Sequence, residues 1–303
     1  MRQSIYNELS GIITDEQIKL EEPMKNHTTF RIGGPAEIFV TPGSIGEVRD
    51  IIAVCRKQAV PYYVMGNGSN LLVSDRGYEG VIIQIFKEMN EIRIEGDTVA
   101  AQAGALLSAI ANRALEEGLA GFEFASGIPG TLGGACIMNA GAYGGEMKDV
   151  VREVTLLTPE GEIRDVPGEQ MEFGYRTSMA ARTGAVILAA RIRLRRGDQE
   201  AIRARMEELR EKRVSKQPLE YPSAGSTFKR PEGYFAGKLI QDAGLRGFTV
   251  GKAQVSEKHC GFVVNKGQAT AADVAELMRR VSDKVEEQFG VRLEPEVKRL
   301  GEF

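Results

Sequence analysis

Hydrophobic and polar positions along the chain follow two periods. From Ser44, a polar N-cap candidate, Val48, Ile51, Ile52 and Cys55 fall on one face and predict a helix to about Ala59. A second helical stretch runs from about Leu106 to Glu117. A third is the clearest. Thr270 and Asp273 form a capping-box start, Val274, Leu277, Val281, Val285 and Phe289 make an apolar stripe, and Gly290 ends it. Elsewhere the segments are short and strand-like. FRIGGPAEIFVTP reads as a strand broken at Gly-Gly-Pro, and Tyr62–Met65 and Val81–Phe86 as short apolar strands. IRIEGDTVAAQAG reads as a hairpin turning at Gly96 and Asp97. VREVTLLTPEGEIRDV, AVILAARIRLR and the final VRLEPEVKRLG add further strands. The mixture predicts an α+β fold.

The segment DQEAIRARMEELREKRVSKQP is highly charged, favours helix and stops at Pro218, so a domain boundary is placed near residue 197. Nine Lys and Arg between Arg191 and Arg213 invite a nucleic-acid reading. Asp198, Glu200, Glu207, Glu208 and Glu211 are interleaved with them, which favours a solvated, ion-paired helix.

Two glycine-dense segments carry the strongest chemical signal. The first, VMGNGSNLLVSDRG, spans Val64 to Gly77, and Gly66-Asn67-Gly68-Ser69-Asn70 follows a strand as a phosphate loop does. On spacing alone a plain turn explains it equally well. In the second, Gly121 to Gly145, 8 of 25 residues are glycine. A loop this long and glycine-rich is costly in chain entropy and is usually functional. Ile128, Leu132, Ile137 and Met138 argue against disorder. Glycine lets a ligand touch the main chain, so two such segments point to a dinucleotide held along its phosphates and rings.

Composition narrows the classes. The 303 residues are 42% hydrophobic and 27% charged with a net charge of -3, ordinary for a globular chain of two or three modest domains. No apolar run reaches bilayer length and no secretory leader opens the chain, so a cytoplasmic protein is expected. Cys55, Cys136 and Cys260 are widely spaced, and only His27 and His259 are present, so neither a disulfide framework nor a metal site is expected. The neighbours His259 and Cys260 point opposite ways on an extended segment and make a poor nucleophilic pair.

Three further segments carry candidate chemistry. FGYRTS sets Arg176 beside Tyr175, where it either caps a turn or holds a ligand anion. SAGSTFKRP gathers hydroxyls and the cations Lys229 and Arg230, suited to a phosphorylated or carboxylated ligand. LEPEV places Glu294 and Glu296 on one side of a strand across Pro295; such carboxylates usually face solvent, and a buried one needs a function.

Taken in order, NHTTFRIGGPAEIFV, VMGNGSNLLVSD, SGIPGTLGGACIMNAGAYGGE, FGYRTS, SAGSTFKRP, AGKLIQDAGLRGFTVGKAQVSEKHCGFVVN and LEPEVKRLG resemble the UDP-N-acetylenolpyruvoylglucosamine reductase family, from about Asn26 to Gly301. The chain is similar to the shorter branch, which lacks a tyrosine-bearing insertion in the substrate domain. Cys136, Cys260 and Lys252 depart from the small or glycine residues expected at their positions.

The resemblance implies an FAD-binding domain of the vanillyl-alcohol-oxidase-like (PCMH-type) fold over residues 26–196, after a lead of residues 1–25. A smaller α/β substrate-binding domain follows over 197–303, its last strand able to return toward the flavin. It implies non-covalent FAD, NADPH as donor, and hydride transfer from reduced FAD to UDP-N-acetylglucosamine enolpyruvate, giving UDP-N-acetylmuramate for peptidoglycan. Ser226 would be the proton donor, Arg176 would hold the substrate carboxylate, and Glu296 would sit at that carboxylate as a neutral acid. Gly66, Asn67, Gly68, Ser69 and Asn70 would bind the FAD pyrophosphate and ribityl chain. Gly127, Ile128, Pro129, Gly133, Gly134 and Asn139 would line the flavin. Tyr175, Lys229 and Arg230 would contact the uridine diphosphate. The rival readings are another FAD-dependent oxidoreductase of the same fold, reoxidised by oxygen, and a non-catalytic nucleotide- or RNA-binding module.

Overall fold

The structure, a computed structural model, describes residues 2–303. Its secondary structure follows the two periods closely. The first long helix is Ile45–Lys57, with the Ser44 side chain accepting from the Glu47 N–H and with Val48, Ile51, Ile52 and Cys55 buried. Helices also form at Leu107–Glu116 and Ala271–Phe289, and the hairpin of Ile92–Glu95 and Thr98–Gln102 turns where expected. The mixture of helices and sheets is the α+β class read from the sequence.

The chain divides into two compact units that interleave along the sequence. The first comprises Met1–Lys19, Phe39–Asn67 and Val81–Arg213, and the second Leu20–Ile38, Gly68–Gly80 and Val214–Phe303. This differs from the linear division at 25/26 and 196/197. The reason is long-range pairing. Leu71–Val73 pairs in parallel with Lys298–Leu300, and the buried Asn265 side chain donates to the Phe30 carbonyl at 3.0 Å. Neither contact leaves a local periodic signal.

The first unit is built on an antiparallel five-stranded sheet in the order Ile163–Pro167, Val151–Leu157, Val186–Arg193, Thr98–Gln102, Ile92–Glu95. Val99, Ala101, Val154, Leu156, Leu188 and Ala190 are buried on it. Tyr62–Met65 pairs in parallel with the end of Tyr78–Gln84, Met65 lying opposite Gln84, and delivers the chain into the first glycine segment. The lead is not a loose extension. Its helix Arg2–Leu9 buries Ile5 and Leu9, and Glu8 bonds to Lys57 and Gln58 at the end of Ile45–Lys57. The charged helix Gln199–Lys216 runs to the unit's end at Arg213 and buries Ile202 and Leu209.

In the second unit, Thr249–Val250, Ala253–Val255 and Val263–Asn265 form a three-stranded antiparallel sheet. Ala271–Phe289 covers the core with Val274, Leu277, Val281 and Val285. Its N-terminus carries the capping box expected from sequence: Thr270 Oγ1 accepts from Asp273 N–H at 3.0 Å, and Asp273 accepts from Thr270 N–H at 3.1 Å. Asp75, 196 positions away in sequence from Ala271, also accepts from the N–H groups of Ala271 and Ala272 at 2.7 and 3.0 Å. Because Asp75 satisfies two of the helix's orphan donors independently, Thr270→Ala is expected to cost about 1 kcal/mol rather than the upper end of the usual range. Urea unfolding of the variant checks this; a loss of about 2 kcal/mol or more would mean that the two caps act as one unit.

Candidate active site

In the first unit the two glycine segments meet. Asn67 Nδ2 donates to the Pro129 carbonyl at 2.8 Å, and a Cβ on Gly66 would sit 2.2 Å from Thr131 Oγ1. The second segment is not the structureless loop its composition implied. It contains the helix Leu132–Ile137, followed by the paired strands Gly141–Ala142 and Gly145–Glu146. Gly133 is the reason that helix can dock: its Cβ would lie 2.9 Å from the Ala103 Cβ, while the Gly133 N–H donates to the Ala103 carbonyl at 2.8 Å.

The glycines therefore divide into two kinds. Gly66 and Gly133 make room for protein, and in the second unit Gly68 does the same beneath the His27 carbonyl, 2.2 Å from where its Cβ would be. Gly134 is exposed, and a Cβ there would meet only Thr131 Oγ1 at 3.8 Å. That open, Cβ-free backbone beside the Asn67–Pro129 junction is a cradle a side chain would fill, and it leaves main chain accessible to a bound cofactor. Gly127 is also exposed, Ile128 is half-buried and Pro129 exposed along the same stretch.

Asn139 serves the scaffold. It is 2% exposed and its backbone is left-handed at φ 44°, a conformation Asn tolerates. Its amide donates to Glu146 Oε2 at 2.9 Å and to the Gly174 carbonyl at 3.1 Å, and its oxygen accepts from the Lys148 N–H. The Gly174 bond fixes the turn that carries Tyr175 and Arg176, closed by mutual backbone bonds between Gly174 and Thr177. Arg176 sits at its tip with φ 54°, a left-handed conformation that costs a residue with a Cβ roughly 1 kcal/mol or more. Its guanidinium lies 5.4 Å from the centre of the Tyr175 ring, which is exposed. Lys148 first, then Asn139, hold the Glu146 carboxyl below the usual range despite partial burial, and the Arg176 charge adds to this. Glu146 escaped the sequence reading because nothing local ties it to FGYRTS.

In the second unit, Ser226 and Glu296 are brought together through Thr227. The buried Thr227 accepts the Glu296 N–H at 2.8 Å, donates its own N–H to the Gly261 carbonyl at 2.8 Å, and takes the Val263 N–H on its hydroxyl at 2.9 Å. Gly225 enters this segment at φ 74° with nothing within 4 Å of its Cβ position. It is glycine for its backbone angle, and the turn leaves the Ser226 side exposed. Asn70, from the first glycine segment, donates its side-chain amide to the Glu296 carbonyl at 3.2 Å. Ser69 beside it is half-buried.

The two strand carboxylates separate. Glu296 is 9% exposed, whereas the Glu294 side chain is 71% exposed and pairs with Lys229 at 3.1 Å. The regular strand begins only at Lys298, and Pro295 forms an isolated bridge to Phe228, so alternation fails here. Arg230 lies 3.9 Å over the Phe235 ring and donates to the Tyr234 carbonyl. His259 Nδ1 accepts from the Gly261 N–H, while burial pushes the Cys260 thiol up. Burial also pushes Cys55 and Cys136 up to about 12, so none of the three is an activated thiol. Among the described residues no cluster of metal-binding side chains forms, and no helix is long and apolar enough to cross a membrane.

Sheet, glycine junction and open cradle define a flavoprotein of the PCMH-type FAD-binding fold. Residues 36–167 match a family profile described as FAD binding domain. At the level of fold alone, the chain resembles Phl p 4, a glucose dehydrogenase, with 15% identity and a TM-score of 0.51 over 65% of this chain and 44% of that one. Residues 217–300 match the UDP-N-acetylenolpyruvoylglucosamine reductase C-terminal domain. A reductase of that name from Clostridioides difficile is 51% identical over 99% of both chains. The crystal structure of the reductase from Thermus caldophilus superposes with a TM-score of 0.80 at 37% identity, over 94% of this chain and 98% of that one. The chain belongs to the UDP-N-acetylenolpyruvoylglucosamine reductase family, and its cofactor is FAD.

Proposed function

We propose that this protein reduces UDP-N-acetylglucosamine enolpyruvate to UDP-N-acetylmuramate at the expense of NADPH, a step of peptidoglycan precursor synthesis in the cytoplasm. Relatives named for reduction of this substrate, about half identical over the full chain, support the reaction. The observation that carries the residue assignment is the backbone register through Thr227, which makes Ser226 and Glu296 neighbours. FAD, when bound, supplies hydride to the terminal vinyl carbon.

The chain's own residues handle what remains. Addition at that carbon leaves negative charge on the carbon beside the carboxylate, which needs cationic or hydrogen-bonding partners and a proton. Arg176, projected from a strained turn, holds the carboxylate. Ser226 Oγ gives its proton to the α-carbon, which is basic enough to take it, and is reprotonated through solvent at its exposed position. Glu296, shielded from water, sits at the same carboxylate as a protonated acid donating a hydrogen bond. Tyr175, Lys229 and Arg230 contact the uridine diphosphate. Lys229 can leave Glu294 for a phosphate at little cost, because exposed ion pairs contribute roughly 0–1 kcal/mol.

The test is an anaerobic flavin spectrum. NADPH should bleach the yellow protein, and UDP-N-acetylglucosamine enolpyruvate should restore the oxidised spectrum within a few turnovers. A flavin that bleaches and stays bleached would remove this substrate and favour another oxidoreductase of the same fold.

A further inference from the structure

The second unit carries a groove of about 610 Å³ that none of the residues assigned above to substrate or flavin lines. Three segments meet along it, residues 31–34, 221–222 and 265–270. Lys25, Arg31 and Lys266 stand exposed around it. Among the described residues, Asp75 is the single carboxylate in the lining, and it is already used: its two oxygens accept from the Ala271 and Ala272 N–H groups at 2.7 and 3.0 Å.

The three cations have no acidic partner among the described residues. Lys266 Nζ lies 3.7 Å from the centre of the Tyr221 ring, an attraction that leaves its charge unneutralised. Cations elsewhere in the same unit are treated differently: Lys238 pairs with Asp242, Arg279 with Glu276 and Lys284 with Glu287. The walls are fixed in advance. Buried Asn265 donates its amide to the Phe30 carbonyl at 3.0 Å and its N–H to the Pro222 carbonyl at 2.9 Å. Its side-chain oxygen accepts from the Gly267 and Ala269 N–H groups at 2.9 and 3.0 Å. Arg31 and Gln268 are held left-handed at φ 55° and 61°, an unfavourable backbone for a residue with a Cβ, so two strained positions line the same groove.

We propose that this groove is a second anion site, which binds the diphosphate group of a small phosphorylated metabolite between Lys25, Arg31 and Lys266. Cations of one sign around a concavity attract an anion and repel one another until it is bound. The Arg31 guanidinium offers a planar fork to one phosphate, and the two ammonium groups act as point charges on the oxygens that remain. Three cations outnumber a single carboxylate or monophosphate and match a diphosphate better. The volume is that of a metabolite site. The site is separate from the substrate site, since Ser226, Lys229 and Arg230 do not line it, and the proposal does not depend on the reaction assigned above.

The experiment is isothermal titration of the flavin-loaded protein with inorganic pyrophosphate. It compares wild type with a groove variant, Lys25→Gln/Arg31→Asn/Lys266→Gln, and a substrate-site variant, Lys229→Gln/Arg230→Gln. Asparagine replaces Arg31 because it tolerates the left-handed backbone. Wild type should bind pyrophosphate about tenfold or more tightly than inorganic phosphate, because two phosphates reach more of the cations. The groove variant should lose about tenfold or more of that affinity while its melting temperature and bound flavin stay at wild-type values. The substrate-site variant should bind pyrophosphate within about twofold of wild type. No binding by wild type overturns the proposal. So does binding that is lost in the substrate-site variant and kept in the groove variant, which would place the anion among the substrate contacts. Should the groove variant fail to fold, Lys25→Gln/Lys266→Gln leaves Arg31 in place and must still weaken binding about threefold or more.

Discussion

Ser226→Ala is expected to slow the return of the oxidised flavin spectrum on adding substrate by roughly 10² to 10⁴, while reduction by NADPH proceeds at the wild-type rate. The asymmetry follows from where the hydroxyl acts. Protonation of the α-carbon belongs to substrate reduction alone, so removing the donor cannot touch the other half-reaction. The fold gives the substitution little else to disturb. Ser226 is exposed, and the register with Glu296 is held by the backbone and hydroxyl of Thr227. Stopped-flow absorbance of each half-reaction separately is the measurement. Equal slowing of both would show that the serine shapes the site rather than delivering a proton.

The adjacent pair Gly133 and Gly134 should separate folding from cofactor binding. Valine at 133 would force its Cβ to within 2.9 Å of the Ala103 Cβ and 3.3 Å of the Ala103 carbonyl oxygen, in a buried contact with no flexible side-chain end to yield. Overpacking of that kind costs roughly 1–3 kcal/mol or more and should lower the melting temperature or abolish folding. Valine at 134 meets only Thr131 Oγ1 at 3.8 Å, so the chain should fold normally. Its side chain would nevertheless occupy the open face of Leu132–Ile137, and FAD affinity should fall by roughly 10- to 100-fold. Thermal melts and bound-flavin absorbance distinguish the two. A Gly134→Val protein that melts normally and retains full flavin would remove Gly134 from the cofactor site.

Much of this was legible because local chemistry sufficed. Ser44 and Thr270 cap their helices, and of the stripe from Val274 to Phe289 the spacing buries all but Phe289, which is exposed at the helix end. The seven ordered segments carried the family. Legibility failed where a residue's neighbour lies far along the chain. Strand alternation makes Glu294 and Glu296 equivalent, yet Glu294 pairs with Lys229 and Glu296 is buried beside the Pro295–Phe228 bridge. The composition of the glycine-rich segment implies a loop, because glycine disfavours helix. Docking on Ala103, which needs Gly133, outweighs that propensity.

By itself the sequence determined the element types, the α+β class and the family, because periodicity, caps and ordered motifs are properties of neighbours along the chain. The tertiary structure alone decided what each candidate residue has around it. It set Gly66, Gly68 and Gly133 against protein but left Gly134 open. It spent Asn139 on Glu146 and Gly174, and joined Ser226 to Glu296 through Thr227. It also drew Arg213 out of an ion-paired helix onto Gly127. Space, burial and counter-charge depend on contacts between residues tens to hundreds of positions apart, and those exist only once the chain has folded.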